Sequence, residues 1–559
     1  MTKNRVYEGP LLTAQQCKNN IANIKTLEED LERVTQSYRF RIGDIAVETL
    51  QNPTLILKQL KRLYSLYHEY TYSAASAKLR GACEIGQPTD PLRNLVPSPD
   101  IPIKRLLKLS KLVYNKNRWS TINERKGQSD YEQALQKRLR ELTELARNGI
   151  QEQGQREDSF GDSEGSRDGI AMILHNALPL SINGYAVRSQ HLIDGMMEHQ
   201  LDVSAFLRTS RDDIPQPYYP IGTVIPDNDT LESYINTYSK LIEIVLREKP
   251  PKIVHAASNY ITGLAAGLAA RRLGIPFIYE VRGLWEVTRA SVHTDFDNSL
   301  GYAVQQKLET QCAIMADRVI AISTPLADML VARGVARKKI RVIPNGAKVI
   351  KKFSAKSREQ TRERFGVTND DIVVGFIGSI TPYEGLGTLL EAISIARSKG
   401  APLKLVIIGN GSTRRILESK ITQLGLQEHC QFLGQVTPSE AELLHSGLDI
   451  ASYVRDSTPV AKIVPPLKPL QAMSSKVATI ISDLPAMVEL VGGTNTRAAR
   501  ICPPNNSNAL AHILHELAEN NQKREVLASE GYSWVAKNRN WSKLVQNLKK
   551  IYDEVESNV

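Results

Sequence analysis

Pro465-Pro466-Leu467-Lys468-Pro469-Leu470-Gln471-Ala472-Met473 is the stretch on which the reading of this chain turns. Pro466 and Pro469 suit the first turn of a helix, where a missing backbone N–H costs little. A helix opened this way presents Lys468 and Gln471 at its N-terminal end, which attracts negative charge. The sequence on either side has one rhythm. Short apolar runs, rich in β-branched residues, alternate with helical patterns.

A first series of runs is Ala171–Leu174, Lys252–His255, Phe277–Val281, Arg318–Ile322 and Arg341–Ile343. A second is Ile372–Ile377, Leu403–Ile408, Gln431–Leu433, Ile450–Tyr453 and Ala478–Ile481. Continuous apolar strands separated by helices imply parallel sheets covered on both faces. Two such series, of about 180 residues each, imply an α/β chain with two Rossmann-like domains facing each other across a cleft. The expected division is 170–352 for the first domain, 353–535 for the second and 536–559 for a closing helix. Its segment from Trp541 to Val555 could cross back onto the first domain.

The 559 residues exceed what one hydrophobic core can organise. Hydrophobic content of 42% and charged content of 23% are ordinary for a globular protein. No apolar run approaches a membrane span, and no apolar core follows Met1–Val6, so no signal peptide is expected. Cys17, Cys83, Cys312, Cys430 and Cys502 are scattered and lack metal-ligand spacing. That pattern suits free thiols in a reducing cytoplasm, with no metal and no cofactor.

Residues 1–150 carry 25 Lys and Arg against 16 Asp and Glu, a surplus of nine out of the whole chain's +11. The remainder is nearly balanced, so a nucleic-acid-binding core is not expected. Residues 1–150 read as a basic helical extension, with helix from Thr13 to Tyr72 (Ile24, Leu27, Leu31 and Val34 at helical spacing) punctuated at Asn52-Pro53. Within residues 100–120, Lys104, Lys108 and Lys111 fall on one helical face and leucines on the other. Such a helix could lie on an anionic membrane surface, or dock on the core with its lysines solvated. Residues 151–169 are polar and acidic, and read as a flexible linker.

Chemistry concentrates where strands end. Strand 171–174 runs into Pro179-Leu180-Ser181-Ile182-Asn183-Gly184-Tyr185 and a helix. Strand 277–281 runs into the block Tyr279-Glu280-Val281-Arg282-Gly283-Leu284-Trp285-Glu286. In the second series the corresponding loops are Gly378-Ser379-Ile380-Thr381-Pro382-Tyr383-Glu384-Gly385 and Gly409-Asn410-Gly411. Ligands bind beyond the carboxyl ends of strands in open parallel sheets, and glycine allows close backbone approach. An ordinary strand-to-helix turn is the alternative at each loop.

Taken together, in order and spacing over roughly 170–555, these blocks resemble the family 4 glycosyltransferases of bacterial surface-polysaccharide type. The opening stretch is similar to their "PLKPLEAM" segment, residues 279–286 to "YEVRGLWE", and Val342-Ile343-Pro344-Asn345-Gly346 to the "IPNG" turn. Asp449-Ile450-Ala451-Ser452-Tyr453 looks like the strand lining their donor pocket. The resemblance implies the GT-B fold and a retaining, metal-independent transferase. It would move a sugar from a nucleoside-diphosphate sugar to a glycan or lipid-linked acceptor, in the cytoplasm or peripherally on the inner face of the membrane.

The same resemblance assigns Arg282, Glu286 and Lys468 as catalytic. It assigns Gly184, Gly378, Ser379, Glu384, Gly385, Gly409, Gly411, Lys462 and Gln471 to donor binding. Several positions depart from the general pattern. Ser379 and Glu384 stand where an arginine and a lysine usually clasp the donor diphosphate, and Glu384 would repel phosphate unless turned outward. Gln471 replaces a ribose-binding glutamate, and Ile463, eight positions earlier, replaces a second one. An amide has one acceptor oxygen where a carboxylate has two with charge assistance. Arg282 stands at a position often held by histidine, and Glu286 could be its structural partner. A donor-impaired homologue acting as a scaffold, or a protein binding membrane or nucleic acid through residues 1–150, are the rival readings.

Overall fold

A computed structural model of the chain describes residues 140–557, apart from 152–166, 179, 212, 223, 225–229, 294–295 and 351–353. The expectations for the helix from Thr13, for residues 100–120 and for the body of the acidic linker lie outside the described residues.

The alternating runs build two parallel sheets. The first has seven strands: β1 (Ile170–Leu174), β2 (Val203–Leu207), β3 (Tyr218–Pro220), β4 (Ile253–Ala257), β5 (Phe277–Val281), β6 (Arg318–Ala321) and β7 (Ile340–Val342). Their spatial order is β3-β2-β1-β4-β5-β6-β7. The second has six: β8 (Ile372–Ile377), β9 (Leu403–Ile408), β10 (Cys430–Gly434), β11 (Ile450–Tyr453), β12 (Ala478–Ser482) and β13 (Arg500–Cys502), in the order β10-β9-β8-β11-β12-β13. Strand order reverses between β1 and β4 in one sheet and between β8 and β11 in the other. Those two switch points place crevices at the carboxyl ends of their strands.

Periodicity does not reveal β2, β3 or β13. Ser204 interrupts the apolar run of β2, β3 is Tyr218-Tyr219-Pro220 and ends on a proline, and β13 offers only Arg500-Ile501-Cys502, so none is written as a continuous apolar run.

The helix Trp541–Glu556 carries apolar residues at 541, 544, 545, 548, 551, 552 and 555. That spacing gives one continuous stripe along a helix. The stripe joins the core of the first sheet, with Met172, Leu174, Leu192 and Ile193, so the chain returns from the second sheet to the domain of the first. The backbone crosses at the same place, where the Ala347 N–H donates to the Arg539 carbonyl at 2.9 Å. By contrast Ala355–Arg364 belongs with the second sheet, since Arg358 and Arg362 both hold Asp449. Among the described residues no helix is long and apolar enough to cross a membrane.

Candidate active site

The donor-side loops pack on one another at the mouth of the second sheet. After β8 the chain passes Gly378 and Ser379, makes one 3₁₀ turn at Pro382–Glu384 and enters the helix Leu386–Ser398. Gly385 starts that helix at φ +70°, a left-handed conformation that glycine adopts without steric cost. A Cβ there would collide with the Val454 carbonyl. Gly409, at φ +141°, lies against the Gly378 carbonyl in the same way, and Gly411 against that of Ile380. Glycine is therefore demanded here by loop against loop.

Glu384 is turned inward and buried, the reverse of the orientation needed if it were left uncompensated near phosphate. Arg455 reaches its carboxylate at 2.8 Å and Lys468 at 2.9 Å. Burial alone would raise the carboxyl pKa, yet Arg455 and then Lys468 outweigh it and hold the group below the usual range. Lys468 passes over Gly378, where a Cβ would strike its side chain, and lies 4.6 Å above the Phe376 ring and 3.5 Å from the Ser379 carbonyl. Two cations thus meet at position 384, one from the helix Lys468–Ser474 and one from just past the end of β11. No motif singles out Arg455 in the sequence. Its place just past a strand at the switch point is the one signal available.

The other donor-side candidates stand apart from this cluster. Ser379 is exposed and contributes its carbonyl. Lys462 is exposed on the short helix Pro459–Ile463. Gln471 is half-buried on the Lys468 helix. Ile463 is buried, and its carbonyl takes a 2.6 Å hydrogen bond from the Ser323 hydroxyl of the first domain.

Across the cleft, Gly184 opens the helix Gly184–Glu198 opposite Leu467. A Cβ added there would meet the Leu467 side chain at an ordinary 3.8 Å. No steric demand for glycine exists at this position. Arg282, at the end of β5, donates to Glu280 at 2.7 Å, to the Tyr185 carbonyl at 3.0 Å and to the Ser189 hydroxyl at 2.5 Å. Its guanidinium lies 4.4 Å over the Tyr185 ring. The partner of Arg282 is therefore Glu280, and Glu286 belongs to Arg333 at 2.6 Å. Glu286 is fully buried, and burial raises its pKa despite Arg333. It supports the turn under Trp285 and is not open to a substrate.

Glu280 also holds Arg188, which no local motif marks. Arg188 donates to the carbonyls of Ile343 and Pro344 and to Asn345, whose amide in turn donates to the Pro465 carbonyl at 2.7 Å. A buried chain of polar contacts thus runs from β5 through the Ile343–Gly346 turn to the first residue of the Pro465–Met473 stretch. His255 stands at 3.7 Å from Glu280 and at 2.7 Å from the Tyr552 hydroxyl of the closing helix.

Residues 357–534 match the family model of the group 1 glycosyl transferases, and residues 182–349 that of Glycosyltransferase Family 4. The chain belongs to the family 4 glycosyltransferases. This glycosyltransferase is 25% identical over 363 residues to a GDP-mannose-dependent alpha-mannosyltransferase of Mycobacterium tuberculosis, covering 62% of the chain and 81% of that relative. It is 24% identical over 266 residues to an uncharacterized glycosyltransferase of Methanocaldococcus jannaschii, covering 47% of the chain and 65% of the relative. For a capsular polysaccharide biosynthesis glycosyltransferase of Staphylococcus aureus the figures are 26% over 203 residues, 35% and 51%.

Among solved structures, sucrose-phosphate synthase of Thermosynechococcus elongatus superimposes with a TM-score of 0.59 at 17% identity, covering 70% of this glycosyltransferase and all of that chain. Anabaena HepE in complex with UDP gives a TM-score of 0.56 at 17% identity, covering 69% and 100%. At these identities the likeness establishes the GT-B fold.

Proposed function

We propose that this glycosyltransferase moves a sugar from a nucleoside-diphosphate sugar to an acceptor hydroxyl with retention of anomeric configuration, in surface-polysaccharide assembly. The observation that carries the reading is the Lys468–Glu384–Arg455 cluster at the switch point of the second sheet. Two cations on a buried carboxylate, beside the N-terminus of a thirteen-residue helix at Leu386–Ser398, make a preorganised seat for a diphosphate.

In this reading Lys468 and Arg455 stabilise charge as the diphosphate departs, and no metal is needed for that task. Arg282, held on Glu280 and Tyr185, shapes the facing wall. Positioning and charge stabilisation supply most of the rate. The capsular polysaccharide relative and the UDP complex of the structural neighbour agree with it. Residues 100–120 would add a peripheral membrane contact, to be checked by liposome binding that weakens with salt.

Calorimetric titration with UDP, GDP and ADP tests the reading. Binding of one of them, weakened roughly tenfold or more by Lys468→Met, is the expected result. No binding to any nucleotide would sink the transferase reading and favour the scaffold alternative, to which Gln471 points. The anomeric configuration of the product, read by NMR, tests retention.

A further inference from the structure

We propose that Arg208, beside His175 on the carboxyl edge of the first sheet, binds an acidic group, phosphate or carboxylate, on the acceptor; this rests on the transferase reading above.

β1 and β2 run parallel with Leu174 paired to Leu207. His175 and Arg208 are therefore the next residues on neighbouring strands, at the edge where ligands bind in such sheets. The Arg208 guanidinium lies 5.5 Å from the Tyr234 ring centre and 5.6 Å from that of Tyr238. Those tyrosines are four residues apart on the helix Leu231–Glu248, so both rings flank one side of it.

Ring faces hold a cation in place without neutralising it. Four other arginines in and around the cleft are matched to a carboxylate: Arg188 and Arg282 to Glu280, Arg333 to Glu286, Arg455 to Glu384. Arg208 has no carboxylate partner among the described residues. Tyr238 beneath it is fully buried, with a hydroxyl that meets no hydrogen-bond partner among the described residues. A charged, half-buried group whose fork meets no carboxylate among the described residues is suited to a bidentate oxyanion.

A sugar ring has a place next to it. The His175 ring stands edge-on to Trp285 with centres 5.3 Å apart, and Trp285 is 42% exposed. Burial, and then the charge of Arg208, push the His175 pKa down to about 4. Near neutral pH His175 is an uncharged hydrogen-bonding group, leaving Arg208 as the cation. Trp285, His175 and Arg208 thus offer an aromatic face, a neutral polar group and a positive charge in sequence, which matches an acid-bearing sugar.

The test is ligand-observed NMR of the full chain with glucuronate, glucose 1-phosphate and glucose. At least one acidic sugar is expected to bind more tightly than glucose, and its identity tells carboxylate from phosphate. Arg208→Gln is expected to weaken that sugar by roughly tenfold or more, the cost of one charge-assisted contact. Glucose is expected to be indifferent to the change. Arg208→Lys, which keeps a cation over the tyrosines, should retain an intermediate affinity and controls for folding. Equal binding of all three sugars, no binding of any, or no effect of Arg208→Gln would overturn the proposal. UDP affinity is measured on the same samples: its absence alone, with acidic-sugar binding intact, counts against the donor reading and leaves Arg208 standing.

Discussion

Lys468 and Arg455 converge on a single oxygen of Glu384, at 2.9 and 2.8 Å, beneath the first turn of the helix that follows β8. A carboxylate where phosphate is expected looks self-defeating in sequence. Here it is the group that draws two long cationic side chains, from different elements, to one point. Two cations on one carboxylate leave a net positive charge at this point. Removing either side of this arrangement has separable consequences.

Lys468→Met is expected to lower nucleoside-diphosphate affinity by roughly tenfold or more, measured by calorimetry. It should also destabilise the fold, by about 1–3 kcal/mol, since Glu384 loses one of its two partners. Adding Glu384→Gln should restore much of the stability, read from the urea midpoint, without restoring binding. Recovery of binding in the double variant would show that Lys468 serves the fold alone.

Gln471→Glu is expected to tighten nucleotide binding by roughly threefold to tenfold, because a carboxylate accepts two hydroxyl protons with charge assistance. The side chain is half-buried on the same helix as Lys468. Unchanged affinity would mean that the ribose is held elsewhere.

Gly409→Ala is expected to cost about 1–3 kcal/mol or more in urea denaturation. The residue sits at φ +141° and a Cβ would meet the Gly378 carbonyl. Nucleotide binding should fall with it, since Gly378 is the floor over which Lys468 passes. Gly184→Ala, with only an ordinary contact to Leu467, should leave the stability nearly unchanged.

Glu309 sets a pH dependence of its own. Burial, and then the neighbouring Glu286, raise its carboxyl to about 8, and the Tyr279 hydroxyl lies 2.5 Å away. The folded chain keeps this proton where the unfolded chain has lost it. The stabilisation is therefore complete below the unfolded carboxyl pKa of about 4.3 and is lost as pH rises through about 8. Glu309→Gln should flatten the fall in melting temperature between pH 5 and pH 8.5, by calorimetry. Parallel curves for the two proteins would refute this.

Much of the fold is legible because a buried parallel strand is written as a continuous apolar run. Ile372–Ile377 and Leu403–Ile408 read as strands to the residue. β2 and β3 do not, since Ser204 breaks the first run and Pro220 closes the second. Within the site, Lys468 is found through its block, whereas Arg455 and Arg188 escape a reading of motifs. Neither sits in a dense local pattern, and their meaning lies in partners 71 and 92 positions away.

The Pro465–Met473 stretch, read alone, determined the start of a helix and the presence of a cation at its first turn. Local sequence can do this because proline's fixed φ and missing N–H act on the residues beside it. Which carboxylate that cation meets was decided only by the tertiary structure. Glu384 comes from the loop after β8 and Arg455 from the end of β11, strands that become neighbours because the chain crosses over between them. Charges distant in sequence compensate each other only once a sheet has brought them within a few ångströms, and their interaction falls off with that distance. The inward turn of Glu384, and with it the meeting of two cations on one carboxylate, is a property of the fold.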